Sequence, residues 1–268
     1  MVKKIIGKSY LLLILLVMYA PILLLITFSF TDSKLIGNWN GFSFVLYSDM
    51  VKNEELMTAL YNTILIAVVS SVCSTALGTI GAIGIFYSRK RYKRIINGLN
   101  QIPVLNAEIV TAISLTILFV ALGVTFNFVT LLIGHMVLTI PFVVLSVLPK
   151  LNQLDPNTYE AALDLGATPH RALWKVIIPE IMPGVFSGFL LCITLSLDDY
   201  IITAFTRNNS FTTLSTYIYG VTAKKGALPP ELRALTTLIT IVMLGILIVI
   251  NINSKRNAEK VMRGVKKR

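Results

Sequence analysis

The sequence predicts an all-α integral membrane protein with six transmembrane helices, and three observations carry that reading. Of the 268 residues, 55% are hydrophobic and 14% are charged, where a soluble domain averages about 25% charged; the mean hydropathy is +0.76. The apolar residues come in blocks of about 20, long enough at ~1.5 Å rise per residue to cross a ~30 Å hydrocarbon layer. The cations collect between blocks and at the two ends. The whole chain, 1–268, therefore reads as one transmembrane domain.

The first block, Ser9–Phe30, follows Lys3, Lys4 and Lys8. That start resembles a secretory signal, but the apolar run is too long and lacks a small-x-small cleavage site, so it is expected to remain as an anchor. The next three blocks are Ala59–Tyr87, Leu99–Leu122 and Phe128–Leu148; the last two are Pro183–Phe205 and Leu232–Ile250. Six spans put both termini on one side. Basic residues crowd both ends, ending in Lys266, Lys267 and Arg268, and the second block is followed by Arg89-Lys-Arg-Tyr-Lys-Arg94. The positive-inside rule makes all three regions cytoplasmic. Thr31–Thr58, with Asp32, Asp49, Glu54 and Glu55 against Lys34 and Lys52, suits the outer face. Two segments fit the rule less well. The extracytoplasmic segment 207–231 holds Arg207, Lys224 and Lys225, and the cytoplasmic Lys150–Met182 has four acids against three bases. The net charge of +11 follows from orientation and contact with lipid headgroups, and gives no argument for nucleic acid.

Several chemistries find no support in the residues. Cys73 and Cys192 are far apart, in different spans, without metal or redox spacing. His135 lies mid-span with no second ligand in view, so a ring bonded within the bundle is expected. Gly78-Thr-Ile-Gly-Ala-Ile-Gly84 lacks the Lys-Ser/Thr of a nucleotide loop and lies in a span, where close helix packing through small residues explains it. The chain reads as no enzyme, with no cofactor and no metal.

The segment 154–184, "LDPNTYEAALDLGATPHRALWKVIIPEIMPG", reads as two short cytoplasmic helices. Asp155 before Pro156, and Thr168 before Pro169, each pair an N-cap with a proline at the first helical position. Gly166 stands where a helix end favours a left-handed residue. Ala161, Ala162 and Leu165 share one side of the first helix. In the second, Leu173, Trp174 and Ile177 form an apolar strip opposite His170, Arg171 and Lys175. The pair either folds back under the bundle or presents partner surface.

Glu160-Ala161-Ala162, Gly166 six residues after the Glu, Trp174, and Pro179 thirteen beyond the Gly resemble the "EAA" loop of permease subunits of binding-protein-dependent ABC importers. Val176 and Ile178 depart mildly from that pattern. "NWNGFSFVLYSDMVKN", "EIVTAISLTILF", "SLDDYIITAF" and "YIYGVTAKKGALPPELRALTTL" extend the likeness, in order, to the permeases of spermidine/putrescine importers. The resemblance implies a type I importer permease fold of the MetI-like kind. It also implies a second homologous permease as heterodimer partner, two ATP-binding cassette subunits held through the EAA loop, and an extracytoplasmic polyamine-binding protein. A permease for another small solute, or a stand-alone secondary transporter, is the alternative.

Asp198 and Asp199 of "SLDDYIITAF" lie in the fifth span. Its eleven Leu, Ile, Val and Phe residues favour insertion by about 5 kcal/mol, and each central Asp costs about 2.5–3.5. The terms nearly cancel, so the acids are expected to face the bundle interior or a wet cavity. Successive residues point ~100° apart. Asp198 aligns with Thr194, Leu191 and Ser187, and suits a cation pathway. Asp199 aligns with Ser196, Cys192 and Gly188, a strip suited to packing on another helix. Glu108 is a further acid in the third span, expected nearer the cytoplasmic half than Asp198 and giving a stepped route. Two structural readings stay open: Glu108 as a helix-start acid after Pro103 and Asn106, and "SLDD" as a kink whose carboxylates cap freed backbone groups. Tyr19, Tyr87 and Tyr200 are candidates for cation–aromatic contacts, with a place in the interfacial aromatic belt as the commoner reading.

Overall fold

The computed structural model describes residues 2–33, 37–155, 157–226 and 228–245. Lys34, Pro156, the basic run from Lys255 to Arg268 and the end of the sixth block beyond 245 lie outside them. Among the described residues all regular structure is helical. In order these are α1 (Val2–Ser29), α2 (Val45–Lys52), α3 (Glu54–Tyr87), α4 (Lys90–Leu105), α5 (Glu108–Ala121), α6 (Phe128–Leu151), α7 (Asn157–Asp164), α8 (Pro169–Ala172), α9 (Ile178–Asp198), α10 (Ile201–Thr206), α11 (Leu214–Lys225) and α12 (231–245). They pack as two compact units, one of residues 1–57 and 220–268, the other of Thr58–Tyr219.

In the first unit, α1 is apolar on all sides beyond Lys8 and exposed along most of its length. The chain after it closes on an aromatic cluster. Phe30 stacks on Phe42 at 5.5 Å, Phe44 meets Phe42 edge-on at 5.1 Å, and Tyr47 donates to or accepts from Ser29 at 2.9 Å. Arg233, at the start of α12, is buried and donates to the Ser33 carbonyl at 3.0 Å.

The second unit is a helical bundle whose tightest pair is α6 against α9. Gly184, Gly188, Cys192 and Ser196 form a buried small-residue strip on α9. A Cβ on Gly188 would lie 3.2 Å from the Val143 Cα, and one on Gly184 would lie 2.9 Å from the Ser146 carbonyl. Without a favourable solvent exchange between lipid and side chains, such close approach is what holds membrane helices together. The expected packing role of Gly78 is seen in the same way: a Cβ there would lie 2.6 Å from that of Val143. Val143, Val144, Val147, Ile177 and Ile181 fill the core around these contacts.

Helices Gly7–Ser29, Glu54–Tyr87, Phe128–Leu151 and Pro169–Asp198 are each long and apolar enough to cross a membrane. The expected third span, Leu99–Leu122, is not one helix. Asn106 and Ala107 are extended, and α4 and α5 meet at 105°. The break follows Pro103, which lacks an N–H, and Asn106, which favours leaving a helix. The second helix of the 154–184 segment is not separate either. α8 runs through a wide turn at Leu173–Ile177 into α9, as one 30-residue helix. The Ile178 N–H reaches back five residues to the Leu173 carbonyl. That π-type turn sits just before Pro179, which cannot supply the next hydrogen bond.

Candidate functional site

The expected fifth span, Pro183–Phe205, is also broken. α9 ends at Asp198, Asp199 is extended (φ −66°, ψ 127°), and α10 begins at Ile201. A break inside a membrane leaves backbone N–H groups that no water can satisfy. Asp199 meets them. Its Oδ1 accepts from the Ile202 N–H at 3.1 Å, and its Oδ2 accepts from the Thr203 N–H at 2.8 Å and the Thr203 hydroxyl at 2.7 Å. The carboxylate, one residue ahead of the N-cap Tyr200, thus caps the first turn of α10 and complements the positive end of the helix dipole.

Behind the cap lies a buried chain of polar side chains. Because the Thr203 hydroxyl proton goes to Asp199, Thr203 Oγ1 accepts from the His135 Nε2–H at 3.0 Å. His135 Nδ1 then accepts from the Ser196 hydroxyl at 2.7 Å, and Ser196 Oγ accepts from Ser70 at 3.1 Å. The network assigns the tautomer. The His135 ring thus bridges α9 and α10 across their break, with its Nε2 3.6 Å from Asp199 Oδ2. Close packing seats it: a Cβ on Gly134 would lie 2.7 Å from Ile202 Cγ2. Ser215 donates to the Asp199 carbonyl at 2.7 Å and completes the break's polar partners.

α5 and α10 lie side by side and run in the same direction. Ala112 packs with Ile202, and Thr116 donates to the Phe205 carbonyl at 3.1 Å. Glu108 opens α5, and Asp198 is the last residue of α9, just before the break that precedes α10. Glu108 lies within electrostatic reach of both Asp198 and Asp199. Asp199 is buried, whereas Glu108 and Asp198 are exposed. Glu108 stands in the first turn of α5, the helix-start position weighed in the sequence.

Tyr200 and Tyr19 part company. Tyr200, at the N-cap of α10, packs its ring 4.6 Å from that of Tyr219 on α11. Tyr19 is exposed on α1, in the other unit.

The EAA segment has its own geometry. Asp155 Oδ1 accepts from the Asn157 N–H at 2.9 Å at the start of α7, and Thr168 Oγ1 accepts from the Arg171 N–H at 3.4 Å at the start of α8. Gly166 turns the chain between them at φ +86°, which a side-chain-bearing residue resists. Tyr159 packs 5.4 Å from Tyr87 and anchors α7 to the end of α3. Glu160, Ala161, Leu165, Trp174 and Pro179 all remain exposed. Leu165 is 90% exposed. The expected strip with Trp174 opposite His170 is not seen: four residues on, Trp174 shares the side of His170, and its Nε1–H donates to His170 Nε2 at 3.0 Å.

Sequence signals for the network were weak. Ser70, Ser196 and Thr203 are ordinary small polar residues of membrane helices, and His135 alone marked the place. The likeness of the chain to known proteins is stronger. The spermidine/putrescine transport system permease protein PotC of Escherichia coli (strain K12) is 34% identical over 244 residues, 91% of this chain and 92% of that protein. The putrescine transport system permease protein PotI of the same strain is 33% identical over 229 residues, 83% and 81% of the two chains. Among solved structures, a bacterial ABC transporter that imports the acidic polysaccharide alginate shares the fold at a TM-score of 0.70 and 18% identity, over 95% of this chain and 96% of that one. The family of binding-protein-dependent transport system inner membrane components matches residues 74–262. By that match and by the identity along nearly its whole length, the chain belongs to the family of binding-protein-dependent transport system inner membrane components.

Proposed function

We propose that this chain is a membrane permease subunit of an ATP-driven polyamine importer of the spermidine/putrescine class, forming half of the translocation path. The observation that carries this reading is the 34% identity to the PotC permease over 91% of the chain. Six spans with both termini cytoplasmic form the subunit, with α4 and α5 contributing one broken span and α12 the last. Its partners are a second homologous permease, two ATP-binding cassette subunits and an extracytoplasmic binding protein that delivers the polyamine. Glu160, Ala161, Ala162, Gly166, Trp174 and Pro179 belong to the surface that receives the ATPase. α8 and α9 form one rod, so motion imposed at that surface reaches the break at Asp199 directly.

Glu108 and Asp198 carry the substrate path, flanked by Tyr200. Two exposed carboxylates on an otherwise apolar surface are unfavourable against lipid, which favours a wet cavity completed by the partner permease. An ammonium 4 Å from a carboxylate gains about 4 kcal/mol at an effective dielectric near 20, against about 1 in water. That gain offsets dehydration of a polycation without holding it irreversibly. Asp199 presents its carboxylate inward to the cap, and so supports the path instead of contacting substrate. The test is ATP-driven uptake of labelled spermidine and putrescine by the reconstituted complex, in competition with other cations. Saturable polyamine uptake supports the assignment, and its absence from an ATP-hydrolysing complex overturns it.

A further inference from the structure

α10 cannot hold itself in place. It has six residues, fewer than the roughly 12–15 an isolated helix needs, and the break at Asp199 frees it from α9. At its far end two neighbours hold it: Thr130 of α6 donates to the Thr206 carbonyl at 2.9 Å, and Thr116 of α5 donates to the Phe205 carbonyl at 3.1 Å. At the break the reach from α6 is made by His135. Its Nδ1 accepts from the Ser196 hydroxyl on α9 at 2.7 Å, and its Nε2–H donates to Thr203 Oγ1 on α10 at 3.0 Å. His135, Ser196 and Thr203 are all buried. One ring thus holds both sides of the break from a third helix. α6 is a firm base for it, because Gly184 and Gly188 seat α9 directly against Ser146 and Val143.

The bridge matters for what crosses the break. Motion entering at α8 runs along α9 as far as its last residue, Asp198. Beyond it the backbone is a joint of two residues, Asp199 and Tyr200, and such a joint can swivel. The side-chain bridge cannot swivel freely. Its bonds are directional and run in one order: the Ser196 hydroxyl to Nδ1, Nε2–H to Thr203, and the Thr203 hydroxyl to the Asp199 carboxylate. Turning the ring or moving α10 away would leave several buried polar groups unpaired at once, and each is costly. A histidine that only needed partners could find them on any neighbours. Here the two partners stand on opposite sides of the same break.

We propose that His135 is a positioning residue of the transport cycle. It locks α10 to α9 across the break, so that α10, with Tyr200 at its start, follows the movement of the α8–α9 rod. The inference rests on the proposed entry of motion through α8 and not on the identity of the transported solute. Loss of one buried hydrogen bond shifts the balance between locked and loose breaks by about tenfold. His135→Gln keeps one of the two bonds, since its single amide reaches Thr203 or Ser196 and not both. Thr203→Val removes the hydroxyl at nearly constant shape, and Thr203→Ser keeps it.

The test uses the full transporter complex in vesicles, with Cys73 and Cys192 replaced by Ala. Nitroxide labels go on Leu190→Cys of α9 and Phe205→Cys of α10, both part-exposed and within about 22 Å of each other by helical rise. Pulsed electron resonance reads their separation with and without ATP and vanadate. The parent is expected to give one narrow distribution, the same in both states. His135→Gln and Thr203→Val are expected to broaden it and to lower solute uptake per ATP hydrolysed by about tenfold, while Thr203→Ser stays within about twofold of the parent. A histidine with a structural role alone would cost His135→Gln some yield of assembled complex but leave the separation and the uptake per ATP at parent values, which overturns the proposal. A parent separation that changes on trapping also overturns it, because the break then flexes during the cycle. The separation needs no polyamine, so a complex that carries none refutes the solute assignment while the spin labels still decide the role of His135.

Discussion

Replacing Asp199 by Asn changes one oxygen for an NH2 group at the centre of the break in the fifth span. Asp199 accepts one hydrogen bond on Oδ1, from Ile202, and two on Oδ2, both from Thr203. An amide has only one acceptor oxygen. Its better placement keeps the oxygen on Thr203 and sets the NH2 against the Ile202 N–H. One charge-assisted bond is lost, about 1.5–3 kcal/mol, and the two that remain fall to neutral strength, roughly 0.5–1 each. The expected loss is about 3–4 kcal/mol, less whatever the break relaxes. Asp198→Asn alters an exposed group, for which a stability change within about 0.5 kcal/mol is expected. The assay heats the detergent-solubilised complex and follows the fraction still assembled, alongside uptake in vesicles. Asp199→Asn should melt early, and Asp198→Asn should be as stable as the parent but slow in uptake. If Asp199→Asn kept full stability and lost uptake while Asp198→Asn transported normally, the assignment of cap and path to the two residues would be reversed.

Three further outcomes follow from the same geometry. Glu108→Gln is expected to reduce polyamine uptake by an order of magnitude or more while lowering stability by only about 0.3–1 kcal/mol, the size of a helix-terminus charge effect; normal uptake with that small loss would leave Glu108 a helix-start acid alone. Gly134→Leu should destabilise the bundle by several kcal/mol through overpacking against Ile202 and Thr206, with a clear fall in the yield of assembled complex, whereas a parent-like yield would show that α6 and α10 are not in contact. Leu165→Asp should leave the subunit folded, since the side chain is 90% exposed, and should lower co-purification of the ATPase by tenfold or more; unchanged co-purification would remove α7 from the docking surface.

Much was legible along the chain. Solvent preference depends on local composition, so the apolar blocks, the cationic segments and the helix caps at Asp155 and Thr168 could be read without a neighbour in view. The EAA spacing at Glu160, Gly166 and Pro179 was legible for the same reason. Breaks within spans were not. Hydropathy registers Leu99–Leu122 and Pro183–Phe205 as continuous, because a half-helix is as apolar as a whole one. At Asp199 the freed N–H groups meet its own carboxylate, and it is the packing of α10 against α5 and α6 that holds the bend.

The sequence by itself determined that this chain lives in a membrane, that it carries a loop of the importer type, and that Asp198 and Asp199 point to different sides. The helical wheel assigned Asp199 to the packed side and Asp198 to the path; only the tertiary structure decided what each side meets. His135 lies some sixty residues before Asp199, and it is the packing of α10 beside α5 and antiparallel to α6 that surrounds Asp199 with Thr203 and His135. A hydrogen bond is local in space and not along the chain, so the partners of the buried acid became visible only where the helices meet.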